Sequence, residues 1–295
     1  MDQILRVNMT DRTAAYEPMP DKYKGRAGRW LTSSIVHDEV PATCHPLGPN
    51  NKVVFSPGIV TGTSSPTSSR ISVGGKSPLT GGIKEANAGT GLGRRLARLG
   101  IRAVIIEGQA DGFWMLKITK DGTSFEAAGA WTGKKLSEIY PKLFERSGGH
   151  KAVDICSIGV AGEHRMASAG ICFNDQEARP TRYAGRGGLG AVMGSKGLKA
   201  IVVDDAGADG VPIADQAVFD AGRKKMAGAL TEHAITKPKG ALNSYGTAVL
   251  VNIINEAGAL PTNNFRAGRF DGAAKIAGEA IFEGNKARTG SELDN

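Results

Sequence analysis

The sequence predicts an α+β fold in two parts: an internally duplicated, β-rich N-terminal domain over residues 1–208 and the beginning of an α-helical domain over residues 209–295. Three observations predict it. The stretch from Gly91-Leu92-Gly93 to Glu107 aligns without a gap on the stretch from Gly188-Leu189-Gly190 to Asp204. Each runs glycine loop, short helix, glycine turn, basic residue, β-branched strand and acid. Upstream, Ser56-Pro57-Gly58-Ile59-Val60-Thr61-Gly62 resembles Ser157-Ile158-Gly159-Val160-Ala161-Gly162, so each unit begins β-rich before loop, helix and strand close it. After Asp204-Asp205 the character changes: Ala206-Gly207-Ala208-Asp209-Gly210 reads as a small-residue linker, and the apolar spacing beyond it is helical. Two copies are too few for a solenoid, so the repeat points to one duplicated domain with its two glycine loops placed to flank a single ligand.

Taken in order, Ile4 to Val7 and Ala14 to Tyr16 read as a strand pair turning at Thr10-Asp11-Arg12. Further strands are predicted at Lys52 to Phe55, Arg70 to Val73 and Phe113 to Thr119. Lys76-Ser77-Pro78-Leu79-Thr80-Gly81 is a turn, because Pro78 would break a helix interior. Leu136, Ile139, Tyr140 and Leu143 have helical spacing, against which Pro141 stands. Beyond the linker, Pro212 suits a first helical turn. Ala214 to Leu230 and Gly246 to Glu256 read as helices, the second stopped by Gly258 and Pro261.

A chain of 295 residues with 40% hydrophobic content is ample for a packed core. No apolar run approaches the ~20 residues of a bilayer span. Met1 to Arg6 shows no basic segment leading into an apolar one, so neither membrane insertion nor secretion is signalled. Cys44, Cys156 and Cys172 form no Cys-x-x-Cys pair and leave one thiol over, which argues for a reducing, cytoplasmic setting and against a disulfide framework or a complete metal site. Cys156 and Cys172 sit among apolar neighbours and read as buried, inert thiols.

The formal charge is +8, but aromatic residues are only 6% and no basic run is interleaved with them, which argues against a nucleic-acid partner. The arginines gather instead at the glycine loops: Arg94, Arg95, Arg98 and Arg102 follow the first, and Arg179, Arg182 and Arg186 surround the second. Loop amides and guanidiniums together bind anions, so a phosphate-bearing small ligand is expected.

Gly185-Arg186-Gly187-Gly188-Leu189-Gly190 also matches the dinucleotide pattern G-x-G-x-x-G, with Asp204 and Asp205 where a ribose-binding acid would stand. Three features count against a nucleotide-binding dehydrogenase. Asn174 to Pro180 is polar where that fold needs a buried first strand. The following helix is interrupted by Gly194 and Gly197. The other copy keeps the strand and the acid behind Gly89-Thr90-Gly91-Leu92-Gly93, which lacks the pattern. A duplicated domain accounts for both copies.

Several long, ordered stretches resemble one family. Arg182-Tyr183-Ala184-Gly185-Arg186-Gly187-Gly188-Leu189-Gly190-Ala191-Val192-Met193-Gly194-Ser195-Lys196-Gly197-Leu198-Lys199-Ala200 resembles the signature of the tungsten-containing aldehyde:ferredoxin oxidoreductases. So do Lys76 to Gly81 with Ala86-Asn87-Ala88-Gly89, and the stretch Tyr245 to Glu256. The matches span nearly the whole chain and cover the family's N-terminal domain and the beginning of its helical part. The resemblance implies a duplicated, tungstopterin-binding domain over residues 1–208, in which tungsten (or molybdenum, which uses the same ligand) is chelated by the dithiolenes of two pterins and Mg2+ bridges the pterin phosphates. Carried over by position, Arg70, Asn87 and Gly89 match pterin contacts of the first half-site, with Lys76 a further phosphate contact. Arg182, Tyr183, Gly185 and Arg186 match those of the second. Asn87 and the backbone carbonyl of Tyr183 would be the magnesium ligands, oxygen donors suited to a hard cation. The implied activity is oxidation of an aldehyde to a carboxylic acid, with electrons passing through a 4Fe-4S cluster to ferredoxin or another electron-transfer subunit; homo-oligomerisation is left open.

The chain departs from that pattern in one respect. The Cys-x-x-Cys-x-x-x-Cys group that holds the cluster in the family is absent before Asn295, so no cluster ligands and no catalytic side chain are assigned. The favoured expectation is the N-terminal part of a longer enzyme, inactive alone. The alternative is a stand-alone pterin-binding or partner-docking module.

Overall fold

The repeated segments ending at Glu107 and Asp204 form the strands on which the first part of the molecule is assembled. The computed structural model describes residues 3–290; Met1, Asp2 and the polar tail Ser291–Asn295 lie outside them. Two compact units are present, Met1–Pro212 and Ile213–Asn295. In chain order the first contains β1 (Gln3–Asn8), β2 (Thr13–Pro18), α1 (Gly28–Glu39), β3 (Val53–Pro57), β4 (Arg70–Lys76), β5 (Ile83–Gly89), α2 (Leu92–Arg98) and β6 (Ile101–Glu107). It continues with β7 (Trp114–Thr119), β8 (Gly122–Ala127), α3 (Leu136–Arg146), β9 (Val153–Ser157), α4 (Val160–Glu163), β10 (Ile171–Phe173), β11 (Arg182–Ala184), α5 (Leu189–Ser195) and β12 (Leu198–Asp204).

Two six-stranded sheets result, and read from their hairpin edges they have the same order: β2-β1-β6-β3-β4-β5 and β8-β7-β12-β9-β10-β11. The duplication therefore extends beyond the aligned segments to every strand. It reaches the irregularities too. Where β6 pairs with β1 the register skips Arg102, and where β12 pairs with β7 it skips Lys199, its repeat counterpart. Each bulge is locked from the neighbouring strand. Ser56 Oγ donates to the Arg102 carbonyl at 2.8 Å, and Ser157 Oγ donates to the Lys199 carbonyl at 3.0 Å. The basic side chains return to the turns after β3 and β9: Arg102 donates to the Ile59 carbonyl at 3.2 Å and Lys199 to the Ile158 carbonyl at 2.6 Å. The faint serine-glycine similarity is the trace of this lock.

Strand alternation divides the apolar residues into three layers. Phe55, Val73, Val104 and Ile106 of the first sheet meet Ile158, Phe173, Ile201 and Val203 of the second half in one shared core. On the outer face of the first sheet, Leu31, Ile35 and Val36 of α1 cover Ile4, Val54, Ala103 and Ile105. On the outer face of the second, Ile139, Tyr140, Leu143 and Phe144 of α3 cover Ile155, Ala200 and Val202. The repeat helices α2 and α5 each pack on strands of both sheets.

The predicted strands and the Leu136 helix are present, with Pro141 exposed inside α3 and the helix continuing past it. The expected turn at Lys76 begins one residue later, because β4 runs through Lys76. Ser77 then organises the turn, its Oγ accepting from the Leu79 and Thr80 amides. Helix α1 was not foreseen: Thr32-Ser33-Ser34 lowers its intrinsic helicity, and burial of its apolar face supplies the stability instead. Short β10 and β11, of three residues each, carry too little pattern to be read.

The second unit contains α6 (Gln216–Glu232), α7 (Ala241–Tyr245), α8 (Leu250–Glu256), α9 (Ala273–Ile276) and α10 (Gly278–Thr289). Asp215 caps α6 by accepting from the Val218 amide at 2.9 Å, so the helix starts after Pro212 rather than at it. The helix expected from Gly246 opens as a 3-10 turn over Gly246–Val249 before α8. No residue of α6, α7 or α8 is buried, and Val218, Ile253 and Phe265 are largely exposed, so this unit holds little core of its own. No helix among the described residues is long and apolar enough to cross a membrane.

One ionic cluster ties the first half to the second. Arg95 of α2 is 7% exposed and pairs with Asp154 of β9 and Asp205 beyond β12, while donating to the Lys151 carbonyl at 2.8 Å. Asn174 donates to Asp154 Oδ1 at 2.7 Å and completes the carboxylate's partners. Its repeat counterpart in α5 is apolar Val192, so the cluster occurs once. Replacing Arg95 with Ala leaves buried Asp154 without its cation, while Asp205 keeps Arg98, and is expected to cost about 3–5 kcal/mol, measured by denaturant unfolding; a loss below 1 kcal/mol would show that the cluster contributes no net stability.

Candidate functional site

Of the residues singled out from sequence, Asn87, Gly89, Arg182 and Tyr183 lie on the edge strands opposite the two hairpins, and the structure brings those edges together: β11 packs against β5. Their register reveals an equivalence. On the first sheet, Ser56 pairs with Ser72 and Ser72 with Asn87. On the second, Ser157 pairs with Cys172 and Cys172 with Tyr183. Starting from the equivalent serines, Asn87-Ala88-Gly89 therefore occupies the same place as Tyr183-Ala184-Gly185. Ala88 and Ala184 are buried toward the shared core, so Asn87, Gly89, Tyr183 and Gly185 project to the other side.

Each side chain there has a definable state. Arg70, at the start of β4, is exposed; its Nε donates to Asn87 Oδ1 and its Nη2 approaches the Asn87 carbonyl at 3.4 Å. Asn87 Nδ2 donates to Ser72 Oγ at 3.1 Å. Tyr183 is half exposed, and burial together with the Cys172 thiol pushes its phenol up to about 12, keeping it neutral. Arg182 and Arg186 are exposed and have neither hydrogen bond nor ion pair among the described residues.

The glycines separate into two kinds. A Cβ on Gly188 would lie 1.9 Å from the Ala167 carbonyl oxygen, on Gly190 2.3 Å from that of Gly170, and on Gly194 2.0 Å from that of Gly162. These glycines let α5 pack. A Cβ on Gly89 would meet only Arg70 Nη1 at 3.5 Å, and on Gly185 only the Tyr183 Cβ at 3.7 Å. Protein packing does not require glycine at those two positions, which leaves the backbone there open to close approach. The one-residue-longer second loop is accommodated by Gly187 and Gly188, both in the left-handed region, where Ser77 Oγ donates to the Gly187 carbonyl at 2.8 Å. The turn of the first half thus rests on the loop of the second.

Other predicted ligands are used internally. Lys76 is 8% exposed, and its ammonium is donated to the carbonyls of Ala42 and Cys44, so it anchors the loop before β3 and is not available at the edge. Arg95 and Arg98 pair with Asp205, and Arg102 serves the bulge. Arg179 pairs with Asp175 and Glu177. The expectation that all seven loop arginines face an anion is corrected on this point. The nucleotide-fold alternative fares no better: β11 and β12 are separated in the sheet by β10 and β9, and no parallel crossover links them. Sequence reasoning missed Ser72, which only strand register places behind Asn87, and Asp175.

Asp175 shapes the approach to β11. Its Oδ1 accepts from the amides of Glu177 and Arg179, and its Oδ2 from Thr181 Oγ1 and Arg179 Nε, all within 2.9 Å. Burial works against the charged carboxylate, but those donors outweigh it and hold the group down to about 2. The contribution is complete above the ordinary value of 3.8 and is lost as pH falls through about 2. Asp175→Asn is expected to cost about 2 kcal/mol at pH 7, with the gap to the wild type closing as pH is lowered from 4 toward 2 in denaturant titrations; a pH-independent gap would assign the loss to geometry alone.

The fold defines a class of duplicated two-sheet α+β domains in which each repeat presents one edge to the other. Comparison with known proteins supplies the family. The model for the aldehyde ferredoxin oxidoreductase N-terminal domain matches residues 4–205, and that for domains 2 and 3 of the same family matches residues 222–291. A tungsten-containing aldehyde ferredoxin oxidoreductase of Pyrococcus abyssi is 42% identical over 284 residues, covering 95% of this chain and 45% of the relative. The enzyme of that name from Pyrococcus horikoshii is 40% identical with the same coverage. The chain belongs to the aldehyde ferredoxin oxidoreductase family. It spans about half the length of these relatives. A solved chain of the active-site complex BamBC of benzoyl coenzyme A reductase, in complex with 1,5-dienoyl-CoA, shares the fold at a TM-score of 0.74 and 22% identity, over 84% of this chain and 39% of that one.

Proposed function

We propose that this chain is the N-terminal, pterin-cofactor-binding part of an aldehyde:ferredoxin oxidoreductase, with residues 1–208 forming the cofactor base and residues 209–295 beginning the helical domain. The observation that carries the reading is the meeting of Asn87-Ala88-Gly89 and Tyr183-Ala184-Gly185 as equivalents on adjoining sheet edges. A ligand with two like halves, each bearing a phosphate, suits a holder with two like edges.

The donor set fits such a group. Arg70, Asn87 and Gly89 would hold one pterin, and Arg182, Tyr183, Gly185 and Arg186 the other. Arg182 and Arg186 keep their guanidiniums uncommitted for phosphate, and Gly89 and Gly185 leave their backbone open to close approach. Asn87 and the Tyr183 carbonyl would offer neutral oxygens of the kind Mg2+ takes beside phosphates. Lys76 is left out of this set because its ammonium is already bonded. When bound, a tungsten bis-pterin supplies the two-electron chemistry of aldehyde oxidation. This chain's residues would bind its phosphates and orient it.

On the same reading the 4Fe-4S cluster and the ferredoxin contact belong to the rest of such an enzyme. Cys156 and Cys172 are buried in the sheet, and burial pushes both thiols up, away from the thiolate a cluster requires. In a protein carrying this chain within the full family length, Arg182→Ala and Asn87→Ala are each expected to lower cofactor affinity about tenfold, seen as reduced tungsten per polypeptide by plasma mass spectrometry. Unchanged metal content in both variants would overturn the assignment.

A further inference from the structure

At the hairpin edge of the first unit lies a cleft of about 380 Å³ to which the proposed function gives no task. Arg98, Leu99 and Gly100 at the end of α2 form one side, and Gln3 and Tyr16 of β1 and β2 another. Lys120 after β7 and residues 208–210 after β12 complete it. Because β2 and β5 are opposite edges of a six-stranded sheet, the cleft stands roughly 24 Å, five strand spacings, from the β5 edge.

The duplication supplies an internal comparison. Register carries Gln3, Tyr16, Arg98 and Lys120 onto Trp114, Phe125, Ser195 and Met9 in the equivalent place at the end of α5. A matching bond marks the equivalence: the Gln3 amide donates to the Gly100 carbonyl at 2.9 Å, and the Trp114 amide to the Gly197 carbonyl at 2.8 Å. At α5 the space is filled. Phe113, Trp114 and Phe125 pack on the shared core, Met9 is fully buried, and Arg12 lies over the Trp114 ring at 4.7 Å. The Ala110 amide donates to the Lys196 carbonyl at 3.2 Å and draws the segment after β6 onto the helix end. The fold can therefore close this place with apolar side chains. Its other copy instead puts polar groups at three of those positions and an arginine where the closed copy has serine.

Most of what lines the open copy is a donor. Arg98 is ion-paired with Asp205 through Nε at 2.8 Å, and its two terminal NH2 groups have no partner among the described residues. Lys120 Nζ donates to the Gly207 carbonyl at 2.5 Å and to Asp209 Oδ1 at 3.2 Å. Asp209 is almost fully exposed, and a surface pair of that kind is weak enough to yield to another anion. Burial raises the Tyr16 phenol above its ordinary value, so it stays a neutral donor. Leu99 adds an apolar wall. A guanidinium fork beside an ammonium, with a phenol and carbon surface, suits an oxyanion carried on a small organic body.

We infer that this cleft binds a small organic oxyanion, a carboxylate or a phosphate ester, with Arg98 and Lys120 as its charged contacts. The inference does not depend on the cofactor reading. The test uses the 295-residue chain labelled with fluorotyrosine, in which the 19F signal of Tyr16 is identified by its loss in Y16F. Benzoate and phenyl phosphate, which share a ring and differ in the oxyanion, are the probes. The Tyr16 signal is expected to shift saturably with at least one of them, and the tighter of the two names the oxyanion. K120M installs the side chain of the closed copy, and R98K keeps a charge opposite Asp205 but loses the fork; each is expected to weaken binding about tenfold. Q3W, which fills the cleft as Trp114 fills its counterpart, is expected to abolish the shift. The double variant R182A/R186A, at the cofactor edge, is expected to leave the Tyr16 titration unchanged. The inference is overturned if neither probe gives a saturable Tyr16 shift, if Q3W, K120M and R98K titrate like the wild type, or if R182A/R186A removes the shift.

Discussion

Each of the two sheets carries an apolar face that is buried against the other sheet and the repeat helices α2 and α5. Phe55, Val73 and Ile106 of the first half and Ile158, Phe173 and Val203 of the second form one core. At roughly 1.5–3 kcal/mol for each large apolar side chain removed from water, this shared face is the dominant stabilising term of the first unit. It also fixes geometry. The two sheets are stacked with α2 and α5 each touching both, and β5 packs against β11 at their edges.

What the edges offer as chemistry is what the fold has not already used. Of the basic side chains near the glycine loops, most are consumed in holding the halves together or in satisfying carbonyls at bulges and turns. The buried ammoniums follow the same rule. Lys76 and Lys196 bind carbonyls of the loop between α1 and β3, at Ala42, Cys44, Gly48 and Pro49. Burial lowers Lys196 to about 8. A net charge of +8 is thus a poor guide to ligand affinity, since buried cations paired with backbone dipoles exert little force on an outside anion. Arg182 and Arg186 stand out because they lack such partners.

The glycines divide by the same logic. Those of α5 exist because a neighbouring carbonyl lies within 2.3 Å of where a side chain would begin. Gly89 and Gly185 meet no such obstacle, and their bareness matters only to something that approaches from outside. On the proposed reading, duplication would account for how one ligand with two similar halves is held: the same edge, used twice, supplies matching backbone, while the difference of Asn87 from Tyr183 and of Ser72 from Cys172 lets the two sides differ.

The aligned repeat, its β-branched strands and the serine-glycine trace were enough to establish a duplicated β-rich domain followed by helices, because alternation and glycine punctuation are local properties that survive in a linear chain. The resemblance to the family, carried over by position, placed Asn87, Gly89, Tyr183 and Gly185 among candidate ligands. Neither showed that Asn87 and Tyr183 are equivalent, for the two segments differ by one loop residue and β11 is too short to carry a pattern. Nor did they show that Lys76, Arg95 and Arg179 are spent inside the protein. Register and burial decided those points. Which strand lies opposite which, and which cation finds a carboxylate or a carbonyl within reach, depends on contacts between residues far apart in sequence, and these exist only after the two apolar faces have closed on each other.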